Sequence, residues 1–150
     1  MLRIRKMAER DLDQVAAIAA AVFSEPWSRQ GFAETLPMEN VCFLVAKEEE
    51  TVLGYAGLSL AADEGEIINV AVSPAFRRRG IACGLMRALL AEGAAGGIRR
   101  FFLEVRVSNT AAVCLYQKYG FTVRGRRKNF YTSPREDAYV MNFISEEEAC

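Results

Sequence analysis

The sequence predicts one α/β domain over residues 1–150, with a mixed, mostly antiparallel sheet of about seven strands flanked by about four helices. Three features carry that prediction. β-rich runs dominate the chain, helical periodicity interrupts them at intervals, and no linker, repeat or low-complexity segment divides it. Apolar residues make up 51% and charged residues 25%, the usage of a folded domain rather than a disordered chain.

Residues 2–5 alternate apolar and basic, which suits a strand with one buried face. Residues 11–23 place Leu12, Val15, Ile18, Ala19 and Val22 at helical spacing, with acids in the opening turn where the helix dipole favours them. Pro26 ends that helix. Ser28 is expected to cap a short helix reaching Leu36, with Trp27 folding onto Phe32 as a hydrophobic staple. The runs 41–47 and 51–60, separated by Glu48-Glu49-Glu50, read as an antiparallel pair joined by a charged hairpin. A third run, 66–72, stops at Ser73-Pro74 because proline cannot donate to a central ladder. From Gly80 the period changes: Ile81, Leu85, Leu89 and Leu90 with Ala82, Met86 and Ala88 mark a helix ending in the glycine-rich stretch 93–97. Residues 101–107 return to strand, 109–118 form a helix closed by Gly120, and 122–129 with 137–144 make the last strand pair. The acidic tail is expected to fray.

Composition excludes several classes of function. Lys and Arg total 19 against 19 Asp and Glu, so partners are chosen by local patches and not by bulk attraction to a polyanion. No nucleic-acid motif is visible, and direct nucleic-acid binding is not expected. The absence of histidine removes Ser-His-Asp and Cys-His nucleophiles and imidazole metal sites. Proton transfer falls to carboxylate, phenol, thiol or amine. Cys42, Cys83, Cys114 and Cys150 are scattered with no C-x-x-C pair and read as free thiols, Cys83 and Cys114 as small core residues on helices. No metal is expected. Neither a secretion signal nor the roughly 18 consecutive apolar residues of a spanning helix is present, so the expectation is a cytoplasmic protein without membrane contact.

The most informative stretch runs from Ile68 to Gly84 as strand, turn, basic loop and helix. A helix N-terminus leaves about four N–H groups without internal partners and carries roughly half a positive charge, so an anion placed there is hydrogen-bonded and attracted. Gly80 and the small Ala82 let a phosphate approach the backbone, and Arg77, Arg78 and Arg79 raise the local potential. The same residues also suit a solvated basic turn. The G-x-G-x-x-G and Walker patterns are both missing, which calls for a different phosphate-bearing ligand.

Arg77-x-x-Gly80-x-Ala82 resembles the Gln/Arg-x-x-Gly-x-Gly/Ala segment by which GNAT acetyltransferases hold the pyrophosphate of acetyl-CoA. Glu25-Pro26-Trp27-Ser28, Asn69-Val70-Ala71-Val72, Leu103-Glu104-Val105-Arg106-Val107-Ser108-Asn109, Leu115-Tyr116-x-x-x-Gly120-Phe121 and Arg127-Lys128-Asn129-Phe130-Tyr131 appear in the order found in the RimI-type ribosomal-protein-alanine N-acetyltransferases of that family. Together they span nearly the whole chain. Ala82 stands where glycine is common, within the pattern. Phe130 stands where tyrosine is frequent and removes a hydroxyl near the peptide slot.

The resemblance implies a GNAT-like fold in which a splayed strand pair holds acetyl-CoA. It also implies direct acetyl transfer to the N-terminal amine, on alanine or another small residue, of a small-subunit ribosomal or similar protein. A lysine or small-amine acceptor on the same scaffold is the alternative. Carried over residue by residue, acetyl-CoA is expected at the amides of Val70, Ala71 and Val72. The segment Arg77, Arg78, Arg79, Gly80, Ile81, Ala82 and Cys83, with Asn109, completes that expected site.

Acetyl transfer needs a neutral amine, a polarised carbonyl and a proton for the departing thiolate. Period two puts Phe102, Glu104 and Arg106 on one face of their strand. Read from residues alone, Glu104 is a surface carboxylate paired with Arg106; the resemblance makes it the general base, acting directly or through a water. The base's task is modest, since an α-amine with pKa near 8 is already roughly one-tenth neutral at pH 7, against well under about one part in a thousand for a lysine near 10.4. Tyr116 reads as a packing residue near a helix end, and by resemblance as the proton donor to the thiolate. Asn109 suits a helix cap. Trp27 and Tyr131, with Phe130, are expected to wall the acceptor slot, while core packing suits Trp27 equally. The basic stretch 124–128 reads either as a solvated strand or as a patch steering an acidic peptide or RNA.

Overall fold

Alternation of side chains along the β-rich runs sends neighbours to opposite faces of one sheet, and helices cover both faces. The computed structural model describes residues 1–145; Cys150 and the tail expected to fray lie outside the described residues. The strands are β1 (Leu2–Lys6), β2 (Val41–Glu48), β3 (Thr51–Ala61), β4 (Glu64–Val72), β5 (Arg100–Arg106), β6 (Thr122–Thr132) and β7 (Arg135–Ile144). They form a seven-stranded sheet in the order β1-β2-β3-β4-β5-β7-β6. The helices are α1 (Leu12–Val22), α2 (Arg29–Thr35), α3 (Ile81–Ala95) and α4 (Thr110–Lys118), with short 3-10 turns at Glu9–Asp11 and Pro74–Phe76.

Element types and order match the reading from periodicity. The main difference in length is the last hairpin, which continues past 129 to a turn at Ser133-Pro134, because its outer strand β6 is exposed and carries no apolar alternation. In β2, Phe43 and Val45 pack with Leu12, Val15, Ile18 and Phe32 from α1 and α2, while Leu44 and Ala46 pack with Ile81, Leu85 and Leu89 of α3. Both faces of the central strands are therefore buried, each large aliphatic side chain contributing about 1.5–3 kcal/mol. Among the described residues, no helix is long and apolar enough to cross a membrane.

The pair β4 and β5 is parallel, unlike the antiparallel pairs around it. It is joined only at Glu64–Arg100, Gly65–Phe101 and Glu66–Phe102. Beyond Glu66, β4 stays with β3 as far as Val72, and β5 follows β7 as far as Arg106. The β3–β4 register slips at Ile68, a bulge that bends β4 where the two strands part. Among the described residues, the facing edges of β4 and β5 above that point have no strand partner.

Asp11 stands just before α1, among the acids expected in the opening turn, and it does more than complement the helix dipole. Its side chain is fully buried, and it accepts hydrogen bonds from Lys47 Nζ at 3.1 Å, both Arg5 guanidinium nitrogens at 3.2 Å and the Ala8 N–H at 2.8 Å. Burial pushes its pKa up, but the bonds from Ala8, Lys47 and Arg5 outweigh that and hold it below its ordinary value of 3.8. This stabilisation is present above that value and lost as pH falls through the lower folded one. Lys47 is only 4% exposed, so Asp11→Ala leaves a cation buried without its partner. The substitution is expected to destabilise by about 3–5 kcal/mol, lowering Tm by on the order of 10 °C. Calorimetry should also find Asp11→Leu with Lys47→Met more stable than Asp11→Ala alone.

Candidate active site

The gap between β4 and β5 opens into two adjoining cavities. One, of about 290 Å³, is bordered by the loop between α1 and α2, by β4 and β5, and by Phe130 and Tyr131 of β6. The other, of about 380 Å³, is bordered by the end of β4, the basic loop, the start of α3 and one side of α4. Val22, Val70, Asn109, Ala112 and Tyr116 line both, so the two meet beside Tyr116.

The second cavity gathers the residues expected to hold acetyl-CoA, with Arg79 the exception. The Arg79 guanidinium turns away, pairs with Glu48 and lies 6.0 Å from the Phe76 ring centre. Arg78 (φ 68°) and Gly80 (φ 75°) are both left-handed, a backbone pattern that turns successive N–H groups toward a common concavity. Gly80 is the N-cap of α3, and no side chain caps the first-turn N–H groups. A Cβ on Gly80 would meet nothing within 4 Å, so its glycine answers to the backbone hand and not to crowding. A left-handed turn with open space beside it and an uncapped 15-residue helix behind it fits a diphosphate, and the unpaired edge of β4 fits an extended amide chain.

Asn109 caps α4 by accepting from the Ala112 N–H at 3.2 Å and still lines both cavities. Cys83 is half-buried, with Lys118 Nζ 3.5 Å from its Sγ. Cys114 is exposed, which corrects its reading as a small core residue: the outer side of α4 faces solvent.

Trp27 borders the first cavity. It packs on Phe32 and Phe43, with ring centres at 5.3 and 5.8 Å, and its remaining surface lines the cavity. Ser28 caps α2 by accepting from the Gly31 N–H at 3.0 Å. In β6 the pairing with β7 breaks between Arg127 and Tyr131, where Asn129 is left-handed at φ 54°. Such a bulge re-aims side chains, and here Phe130 and Tyr131 face the cavity.

Glu104 also lines this cavity, but its expected pairing with Arg106 is not formed. Arg127 Nε, reaching from β6 over the small Ala138, donates to Glu104 Oε2 at 2.5 Å. Arg106 instead donates to Glu136 (3.1 Å), Ser24 Oγ (2.9 Å) and the carbonyls of Ser133 (3.1 Å) and Pro134 (2.9 Å), and its guanidinium lies 4.3 Å from the Tyr131 ring centre. Across β6 the remaining arginines of the basic stretch are also engaged, Arg124 with Asn142 and Arg126 with Asp137. Tyr116 is 6% exposed and tilted against Phe121. Burial pushes its phenol well above the usual range, so it stays protonated and able to donate.

A clasp beside the first cavity is not legible in the sequence. Glu25 accepts from the Ser133 N–H at 2.7 Å and from Thr132 Oγ1 and N–H at 3.1 and 3.2 Å. With Arg106 it ties the loop between α1 and α2 to the β6–β7 turn. The only sequence signal is the place of Glu25 in the Glu-Pro-Trp-Ser block; its partner lies 107 residues away.

A sheet parted between parallel strands, an uncapped helix start on one side, a phenol where the two cavities meet and a carboxylate in one of them fit a group-transfer enzyme with a phosphate-bearing donor. Residues 12–121 match the Acetyltransferase (GNAT) family, and the chain belongs to it. It is 35% identical over 143 residues to the ribosomal protein bS18-alanine N-acetyltransferase of Haemophilus ducreyi, covering 92% of this chain and 97% of that one. The crystal structure of the ribosomal-protein-S18-alanine N-acetyltransferase from Escherichia coli superposes with a TM-score of 0.88 at 32% identity, over 97% of this chain and 95% of that one. Arabidopsis thaliana NAA60, solved in complex with acetyl-CoA, shares the fold at a TM-score of 0.86 and 18% identity, over 96% of this chain and 98% of its own.

Two measurements test this geometry. The clasp on Glu25 holds its carboxyl below the ordinary 4.5, through the Thr132 hydroxyl first and the Ser133 N–H next. It is therefore intact above pH 4.5 and lost as pH falls through the depressed value. Glu25→Ala should speed hydrogen exchange at Thr132 and Ser133 severalfold at neutral pH, with little change in Tm. Gly80→Ala should cost about 1–2 kcal/mol, the penalty for a left-handed alanine. Calorimetry with coenzyme A should show a further loss of affinity beyond that change in fold stability.

Proposed function

We propose that this chain transfers the acetyl group of acetyl-CoA directly to the α-amine of a protein N-terminus, alanine foremost, and that its acceptor is ribosomal protein bS18. Residues 1–150 are read as one such domain, working in the cytoplasm on a protein partner, with neither nucleic acid nor membrane as substrate. The observation that carries this reading is the meeting of two cavities at Tyr116, one fitted to a diphosphate-bearing donor and one walled by aromatic rings and carboxylates. The name borne by the Haemophilus ducreyi relative supports the choice of acceptor.

In this mechanism Arg77, Arg78 and the first N–H groups of α3 hold the diphosphate, while Arg79 braces the loop through Glu48. The free edge of β4 offers the Val70 and Val72 N–H groups to the pantetheine arm and the thioester oxygen, while the N–H of Ala71 between them points back to β3, as that of Ser73 does to the Leu53 carbonyl. Asn109 adds a polar contact to that arm. The acceptor chain end enters between Trp27, Phe130 and Tyr131. Glu104, oriented by Arg127, takes the proton of the amine as the C–N bond forms, directly or through a water. Tyr116 gives its proton to the sulfur as the C–S bond breaks.

Mass spectrometry of an alanine-initiated peptide carrying the bS18 N-terminal sequence should show one acetyl group added, and none when the α-amine is blocked. Continued acetylation of the blocked peptide, through an internal lysine, would overturn the α-amine assignment. Glu104→Gln and Tyr116→Phe should each lower kcat by about 10²-fold or more while coenzyme A affinity stays unchanged. Unchanged turnover in both variants would remove the roles given to these side chains.

A further inference from the structure

Three carboxylates line the acceptor cavity: Glu25, Glu66 and Glu104. Glu25 is held by Thr132 and Ser133, and Glu104 by Arg127. Among the described residues, Glu66 has no hydrogen-bond or ion-pair partner for its side chain. It stands at the last β4–β5 rung, opposite Phe102, where the strands begin to part, with Glu104 two residues further along β5. Close by on β4, Asn69 lines the same cavity, and its buried Oδ1 accepts no hydrogen bond. Arg106 also lines this cavity, but it is already engaged by Glu136 and stacked on Tyr131.

A partly buried carboxylate with no counter-ion is unfavourable unless a ligand brings one. Burial, and the charge of Glu104 after it, raise the proton affinity of Glu66, as expected for an anion that lacks a cation. The acceptor supplies what is missing, since an α-amine with pKa near 8 is roughly nine-tenths ammonium at pH 7. We infer that Glu66 is a substrate-binding residue, the counter-ion that receives the incoming ammonium and seats it beside Glu104 before its proton is lost. The inference rests on the acetyl-transfer reading above and divides the work between two carboxylates: Glu66 recognises the charge on arrival, and Glu104 serves the transfer.

The test is steady-state kinetics of wild type and Glu66→Gln on the alanine-initiated peptide, from roughly pH 6.5 to 9.5. The charged or titratable groups facing Glu66 are Glu25 from the α1–α2 loop, Glu104 and Arg106 from β5, Tyr116 from α4 and Tyr131 from β6. The substrate amine is the one group in the cavity whose ordinary pKa lies in that range. At pH 7 the variant should show a KM about tenfold higher with kcat within about threefold of wild type. That KM ratio should fall toward one as pH passes the pKa of the amine. A des-amino analogue of the peptide should inhibit both proteins equally. An unchanged KM overturns the inference, and so does a KM ratio that ignores pH, which marks a structural role. Loss of kcat at constant KM overturns it too, because that makes Glu66 the base. Should wild type modify only an internal lysine, the α-amine assignment fails. Glu66 is then tested separately on that lysine, with the pH crossover displaced toward about 10.4.

Discussion

A parallel contact only three rungs long, between β4 and β5, decides where every other part of this molecule sits. Parallel strands in the middle of a sheet ordinarily stay paired, because a buried N–H or C=O left without a partner costs about 1–3 kcal/mol. Here the bulge at Ile68 bends β4 toward β3 while β5 follows β7, and the ladder opens. The helices that follow these two strands, α3 and α4, then border the opening from either side. An extended ligand carrying amides is the natural occupant of such an edge.

Charge around the opening is arranged just as sparingly. Most ionised side chains there already have partners: Arg79 with Glu48, Arg127 with Glu104, Arg106 with Glu136, and Glu25 with the β6–β7 turn. Two of these contacts, those of Arg79 and Glu25, tie loops beside the cavities to the sheet, and the other two join strands. Among the described residues, the exceptions are the Arg77 and Arg78 side chains with the backbone of the Arg78 to Gly80 turn, able to take an anion, and the carboxylate of Glu66, able to take a cation. The two cavities are thus marked by opposite unsatisfied charge.

Local signals in the sequence report local structure well. Ser28 and Asn109 cap the helices they precede, Trp27 folds onto Phe32, and the period changes at Gly80 and Asn109 mark real helix starts. Contact across distance is not legible in the same way. Asp11 and Lys47 are 36 residues apart, Glu104 and Arg127 are 23 apart, and Glu25 reaches 107 residues to its partner. Alternation in Leu103-Glu104-Val105-Arg106 assigns faces but not strand neighbours, so it points to Arg106 as the partner of Glu104, whereas the order β5-β7-β6 brings Arg127 there instead. The parting of β4 from β5 is likewise silent in either strand alone, because both keep an ordinary apolar rhythm on their paired sides.

Because the doorway is made by divergent main chain and not by small side chains, its width belongs to the backbone. In the function proposed above, replacing residues around the aromatic end changes which acceptor fits while the gap between the strands keeps its width. A scaffold of this kind is suited to evolutionary retargeting: new clients can be acquired by swapping a few rings and charges, while the shared donor of the reaction stays in place.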